Sequence, residues 1–333
     1  MPKKFLRNHK ATNTYKAYLA LLAATAIWGA AGPIIKLTLQ YLPVHAFLFL
    51  RFLIVCTVLL PITIIELKKE PVETRDIPNL IILGLLSQSS ILIVFWGYKF
   101  AHAIDASLIG AMHPLMAIAA GYYFYKEEVT KFEKIGIAVA TLGTLVIILE
   151  PLLTGQQGVA ASELRFLGNL LILLYQLTWL SYILWSRKVM GHRSPKLTKI
   201  RKWFHAKPMK KKYSPLLLTM LTFYVGLATM IPLAFLEALG VFGGSTFSTS
   251  QLTPTPVLGL LYMALLSSIV AYLLFQWGIN KSEVSDAGFF TYLGPLFTVP
   301  TAFILLGEIP SSTILVGAGI VACGVIIAEK EKG

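Results

Sequence analysis

Charge is what this chain has least of. Asp, Glu, Lys and Arg make up 14% of its 333 residues, against about 25% in a soluble domain, so lipid rather than water is the expected solvent. Cysteine is nearly missing. Cys56 and Cys323 are the two, both inside apolar runs, which excludes a disulfide framework and leaves buried, inert thiols. No G-x-x-x-x-G-K-[ST] phosphate loop occurs, and no H-E-x-x-H or other metal-ligand spacing. Neither ATP-driven work, nor a cofactor, nor a metal is therefore expected.

Apolar length fills the space left by charge. The chain is 56% hydrophobic, and runs long enough to cross ~30 Å of hydrocarbon, about 20 residues each, recur throughout. Ten spans are read, at 17–37, 44–65, 78–98, 105–125, 132–149, 166–187, 214–238, 255–277, 284–306 and 310–328. The first is too long for a signal-peptide core and is taken as retained. What lies between them is too short for a soluble domain.

The formal charge of +13 does not imply nucleic acid. With the N-terminus inside, all of the 29 Lys and Arg except Lys36, Arg51, Lys99 and Arg165 fall on cytoplasmic segments. That is the positive-inside bias, and it predicts an all-α integral membrane protein with both termini in the cytoplasm. A multi-pass location in the cytoplasmic (inner) membrane follows, as a monomer or homodimer. The basic linker 188–213 is expected either to lie on anionic lipid headgroups, through a short helix presenting Leu197, Ile200, Trp203 and Phe204, or to be a flexible tether.

"HPLMAIAAGYYFYKE" (113–127) and "GPLFTVPTAFILLGE" (294–308) share an offset of 181 positions. Pro114 aligns with Pro295, Glu127 with Glu308, Asp105 with Asp286, Gly136 with Gly317 and Gly143 with Gly324. Upstream, Trp28 and Lys36 mirror Trp179 and Arg187. The reading is two five-helix units, residues 12–150 and 166–329. Segment 151–213 holds an outer loop, the sixth helix (166–187, part of the second unit) and the linker. Five is odd, so the second unit enters the membrane from the opposite side. Inverted repeats of this kind give secondary transporters their two opposite-facing states.

"AIWGAAGPIIK", "FLRFLIV", "ASLIGAMHPLMAIAAGYYFYKEEVTKFEKIGIAVATLG" and "SDAGFFTYLGPLFTVPTAFILLGEIPSSTILVGAGIVACG" together resemble the EamA-type family of the drug/metabolite transporter superfamily, over nearly the whole chain. The resemblance implies a ten-helix inner-membrane permease, many members being exporters of amino acids and other small metabolites. Its repeated P…E…G…G signature speaks to fold and hardly to substrate. Two departures stand out, the long basic linker and His113 where the second unit has Gly294.

Prolines at matched places in two repeats point to a midplane substrate site, because the freed carbonyls must meet protein or a polar cavity. Polar and aromatic stripes at helical spacing add lining residues: Tyr175, Thr178, Tyr182 and Trp185 on one helix, and Ser268, Tyr272 and Gln276 on another. The expected cavity comprises Trp28, Arg51, Gln88, His113, Pro114, Tyr175, Trp179, Tyr272, Gln276, Tyr292 and Pro295. Uncharged apart from Arg51, it suits a neutral, zwitterionic or aromatic small molecule. Arg51 is the specificity candidate, since the second unit has Thr222 in its place; the bland alternative is snorkelling. Asp105, Glu127, Asp286 and Glu308 are expected as structural helix caps, and Lys36 as a snorkelling lysine. The function expected is a non-ATP transporter of small organic metabolites, an exporter of amino-acid-like or aromatic compounds. A lipid or lipid-carrier translocase of the same superfamily, or a membrane-embedded enzyme, are the alternatives.

Overall fold

The structure is a computed structural model describing residues 3–155, 159–191, 194–203, 207–243, 246–279, 290 and 292–330, with side chains at all of these except 3–14, 159, 202, 276 and 279. Among the described residues there are helices and no strands. The helices are α1 (Lys3–Thr38), α2 (Val44–Lys69), α3 (Ile77–Phe100), α4 (Ala103–Gly110), α5 (His113–Ala120), α6 (Lys131–Thr154), α7 (Val159–Val189) and α8 (Pro195–Trp203), followed by α9 (Pro215–Ala238), α10 (Pro254–Leu261), α11 (Ala271–Ile279), α12 (Gly294–Leu306) and α13 (Ser312–Glu329). One π-helical turn, Gly121–Tyr125, continues α5, and a longer π stretch, Tyr262–Val270, joins α10 to α11. Nine of the described helical segments are long and apolar enough to cross a membrane, α4 to its π turn counting as one, and α12 is a shorter apolar helix.

The principal packing pairs are α6 with α13, α3 with α7, α2 with α9, and α1 with both α12 and α11. Each joins the first half of the chain to the second. Small residues make the closest of these approaches possible. Gly136 lies against Gly324, and Gly143 against Gly317, so α6 and α13 run antiparallel. α2 and α9 are antiparallel too. Glu237, at the end of α9, accepts from the His45 and Ala46 N–H groups at 3.2 and 2.8 Å, at the start of α2. Glu70, just past α2, accepts from Ser214 N at 3.0 Å, at the start of α9. In each case a carboxylate meets the positive end of a helix dipole.

Local backbone repeats with the 181 offset. The interrupted fourth span stops at Gly110 and restarts at His113, Pro114 occupying the first turn where its missing N–H costs nothing. Met112 before it has φ −75°, ψ −16°; Leu293, before the turn containing Pro295, has φ −78°, ψ −8°. Lys126 and Gly307 both take the left-handed conformation, and the next residue's N–H, from Glu127 or Glu308, reaches back to Gly121 O or Ala302 O at 3.3 Å. The bond spans six positions in both places, one more than the six-to-one bond of a Schellman ending, and closes the helix after the same left-handed residue. Thr130 and Ser311 then cap α6 and α13, accepting from Glu133 N and Ile314 N. Helices α6 and α7 run beyond the spans read from hydropathy, because charged residues at their near ends pair with each other.

The linker is folded onto the bundle. Ser194 Oγ donates to Phe124 O at 2.7 Å, Leu197 of α8 is buried beside Ala120 and Leu184, and Lys196 Nζ sits 2.9 Å from the Tyr123 ring centre. Further on, Asp76 accepts from Lys210 N, Lys211 N and Tyr213 Oη at 2.8, 3.2 and 2.9 Å. Among its described residues the segment is thus tied to the bundle at two places, by Asp76 and by the Gly121–Tyr125 turn. Ile200 and Trp203 stay exposed on α8, while Phe204 is outside the described residues.

Candidate functional site

Arg51, on α2, is 7% exposed. Its Nε and Nη2 donate to Ser268 Oγ at 3.1 and 2.9 Å, and its guanidinium carbon lies 5.8 and 5.7 Å from the Phe52 and Phe95 ring centres. It points to the bundle interior and does not snorkel. Ser268 is available because the π stretch shifts its hydroxyl back to Met263 O, at 2.8 Å, five residues away. Such π turns often mark functional positions. Among the described residues Arg51 has no carboxylate within ion-pair distance, whereas Lys36 and Arg187 each have one and Arg165 has two.

Several buried polar groups of the interior lack partners among the described residues. Gln88 on α3, 4% exposed, has neither amide atom hydrogen-bonded; His113 Nδ1 and Tyr292 Oη are buried and equally unpartnered among the described residues. Leaving such groups unpaired costs about 1–3 kcal/mol each, so they are poor structural choices. Gln88 Oε1 and the Phe52 ring both press on Gly226 of α9, and a Cβ there would come within 2.9 and 3.1 Å of them. Gln88 and Arg51 thus both lie near Phe52. Tyr175 of α7 lies near Arg51, and Gln176 lies near His113. Arg51, Gln88 and Tyr175 thus come from three helices onto one region, with His113 of α5 packed toward α7.

The other expected residues divide. Tyr175, Trp179 and Tyr182 form a ring ladder, with centres 6.4 and 4.8 Å apart. Trp28 donates its indole N–H to Ser267 O at 3.0 Å and packs on Phe275. Tyr272 Oη is 2.6 Å from Thr219 Oγ1, a partner on α9. Trp185 of the same stripe is structural, donating to Asn79 O at 3.2 Å, and Thr178 bonds its own helix. Pro114 and Pro295 are half-buried at their breaks. The Gln276 side chain and all of Asp286 lie outside the described residues. A groove of about 540 Å³ between α2 and α9, lined by Phe49, Leu53, Leu227 and Phe235, is apolar, and none of the polar residues above lines it.

The acids are not what local sequence suggested. Asp105 does not cap α4; it holds Arg165 through Oδ2 at 2.7 Å and Oδ1 at 3.0 Å. Arg165 Nη1 also meets Glu150 Oε2 at 3.0 Å, in a charge contact poorly angled for a hydrogen bond, and Ser311 donates to Glu150 Oε1 at 2.6 Å. Close by, burial, helped by Arg165 and Lys36, holds the His102 imidazole down to about 3, so it adds no charge. Glu127 caps nothing on α6, where Thr130 does that work, and pairs with Arg187 at 2.8 Å. Glu308 bonds Lys36 Nζ at 2.7 Å and, at 3.2 Å, Ile104 N on α4, a helix distant in sequence. Lys36 is therefore paired and does not snorkel. Nothing local could have revealed these partners, which are 60 to 272 positions apart.

Membrane-length apolar helices around a buried polar centre define a multi-pass membrane protein built to handle a small molecule. The chain belongs to the EamA-like transporter family, which matches residues 15–149 and 202–329, so it is a transporter and not an enzyme. A protein of Streptantibioticus cattleyicolor named a probable terminal-alkyne amino-acid exporter is 26% identical, over 95% of this chain and 94% of its own. A probable amino-acid metabolite efflux pump of Salmonella typhimurium is 26% identical, over 93% of each chain. One crystal structure shares the fold, with a TM-score of 0.55 at 16% identity, covering 95% of this chain and 99% of that one.

Proposed function

We propose that this chain is a secondary exporter of amino-acid-like or aromatic zwitterionic metabolites in the cytoplasmic membrane, working by alternating access. Ten helices form two inverted five-helix repeats, 12–150 and 166–329, with both termini in the cytoplasm. Support for inversion comes from α6 and α13, the fifth helix of each unit. They run antiparallel, with matched glycines facing, as an in-plane twofold requires and as repeats of one orientation would not give. The family match to the second half begins at residue 202, so placing the sixth helix in that unit rests on Trp179 and Arg187 alone. The linker helix α8 rests on anionic headgroups through its basic face.

The observation that carries the substrate reading is Arg51. A buried guanidinium with a hydroxyl partner but no carboxylate, beside the unpaired amide of Gln88, fits a substrate carboxylate held bidentately. Tyr175, Trp179 and Trp28 offer ring surface for the remainder, and His113 and Tyr292 offer polar ends. The names of the two exporters above agree with a carboxylate-bearing cargo. A lipid-carrier substrate would place its charge here as well but needs a path for long chains.

Flux of radiolabelled amino acids in sealed proteoliposomes tests this. Arg51→Gln is expected to abolish transport, and Arg51→Lys to impair it more than tenfold, because charge remains while the planar fork is lost. Wild-type flux in both variants, at equal reconstitution, would remove Arg51 from the mechanism.

A further inference from the structure

Two ion pairs occupy equivalent places at opposite ends of the bundle. Glu127 and Glu308 are related by the 181 offset and are presented by the same left-handed ending, after Lys126 and Gly307. Their partners, Arg187 and Lys36, each lie eight residues beyond the matched tryptophans Trp179 and Trp28. Each pair thus joins the last part of one unit's first helix to the glutamate following the other unit's fourth span. Neither the repeat nor helix stability requires this match: α6 and α13 have their own hydroxyl caps, and the cation is Lys in one pair and Arg in the other.

Their states differ. Lys36 and Glu308 are 19% and 7% exposed. Lys36 Nζ also donates to Ala101 O at 2.7 Å, and Glu308 accepts from Ile104 N, so α1, the α3–α4 joint and the end of α12 are clasped at one point. Arg187 and Glu127 are 34% and 47% exposed, with the guanidinium 4.3 Å above the Tyr125 ring centre. One pair is buried, and the other is partly exposed.

We infer that Lys36–Glu308 and Arg187–Glu127 are the paired latches of the two gates, closing the non-cytoplasmic and cytoplasmic ends in alternation. This rests on the transporter reading for its direction, but not for its mechanics. Both pairs bridge the units, so a swing of one unit against the other that opens an end must break the clasp at that end. In this structure both clasps are made, at 2.7 and 2.8 Å, the Lys36 pair being the more buried. The pseudo-twofold makes a single device serve both faces.

Hydrogen–deuterium exchange on the full chain in lipid nanodiscs tests the latches without any substrate. Glu308→Gln should raise exchange about tenfold at 101–104 and 306–312, and lower it at 121–127 and 184–189, because release of one end favours closure of the other. Glu127→Gln should do the reverse. Lys36→Arg, which keeps both the charge and a donor for Ala101 O, should retain the wild-type pattern. A pair with a merely structural role would loosen its own end and leave the far end unmoved; that outcome, or reciprocal changes in Lys36→Arg as large as those in Glu308→Gln, overturns the proposal. Flux failing for every metabolite tried, with reciprocal exchange intact, would count against the substrate reading alone.

Discussion

The mirrored glycines allow the inverted repeat to be weighed directly. A methyl group on Gly143 would stand 2.7 Å from both Gly317 O and Val321 N; one on Gly324 would stand 2.7 Å from Gly136 O and 2.6 Å from Ala140 N. The obstructing atoms correspond one for one under the 181 offset, and they are backbone, so no rotamer change relieves them. Ordinary contact begins at 3.4 Å, so α6 and α13 must part by roughly 0.7 Å, which forfeits between a quarter and a half of each contact's dispersion energy. Overpacking of this kind costs about 1–3 kcal/mol, partly offset by up to ~1 kcal/mol of helix propensity gained by alanine. Gly143→Ala and Gly324→Ala should each destabilise by about 0.5–2 kcal/mol, with similar values. The double variant should cost less than the sum, since the first substitution has already parted the helices. Gly319→Ala is the control, because a Cβ there meets nothing within 4 Å. Reversible unfolding in mixed micelles, followed by circular dichroism, reads all four. If Gly143→Ala behaves like Gly319→Ala, or if one mirrored site is costly and the other free, the packing argument fails and the twofold with it.

Arg165→Met should destabilise by about 3–5 kcal/mol in the same assay, because Asp105 and Glu150 would remain buried without their shared cation; a loss below ~1 kcal/mol would mean that the cluster is hydrated. Gly307→Ala should cost about 1–2 kcal/mol, its φ of 66° being unfavourable to any Cβ. Lys126→Gly, at the matched position with φ 59°, should be neutral or stabilising by up to ~1 kcal/mol, as read from the melting temperature in detergent.

What could be read from the sequence was whatever local chemistry dictates. Pro114 and Pro295 lack an N–H whatever surrounds them, so a break before each was legible, and both breaks occur with nearly the same dihedrals. Apolar runs placed the spans, as α2 and α3 show, because lipid imposes length. Long-range charge pairing was not legible. Asp105 looked like a cap because only its neighbours were in view, and Arg165 sits 60 residues away. Lys36 looked like a snorkelling lysine for the same reason. Nor does an apolar run containing Ser267-Ser268 announce a π stretch, yet that turn is what brings Ser268 to Arg51.

The repeat also separates mechanics from chemistry. Where the two units agree, as at Glu127/Glu308, Pro114/Pro295 and the glycines of α6 and α13, the residues shape backbone or join helices. Where they differ, the difference is chemical. Thr222, in the place corresponding to Arg51, satisfies its hydroxyl on its own helix at Thr219 O, 2.7 Å away, and asks nothing of a ligand; Arg51 spends two donors on one serine and keeps a charge unanswered. Gly294, corresponding to His113, leaves room that packing does not require, since a Cβ there would touch nothing, whereas His113 brings an unpaired nitrogen. An evolving specificity can change an unrepeated position without unbalancing the twofold, but changing one member of a repeated pair biases the protein toward one face. Substrate preference should therefore move with substitutions at positions 51 and 113, and the ratio of inward to outward states with those at 127 and 308.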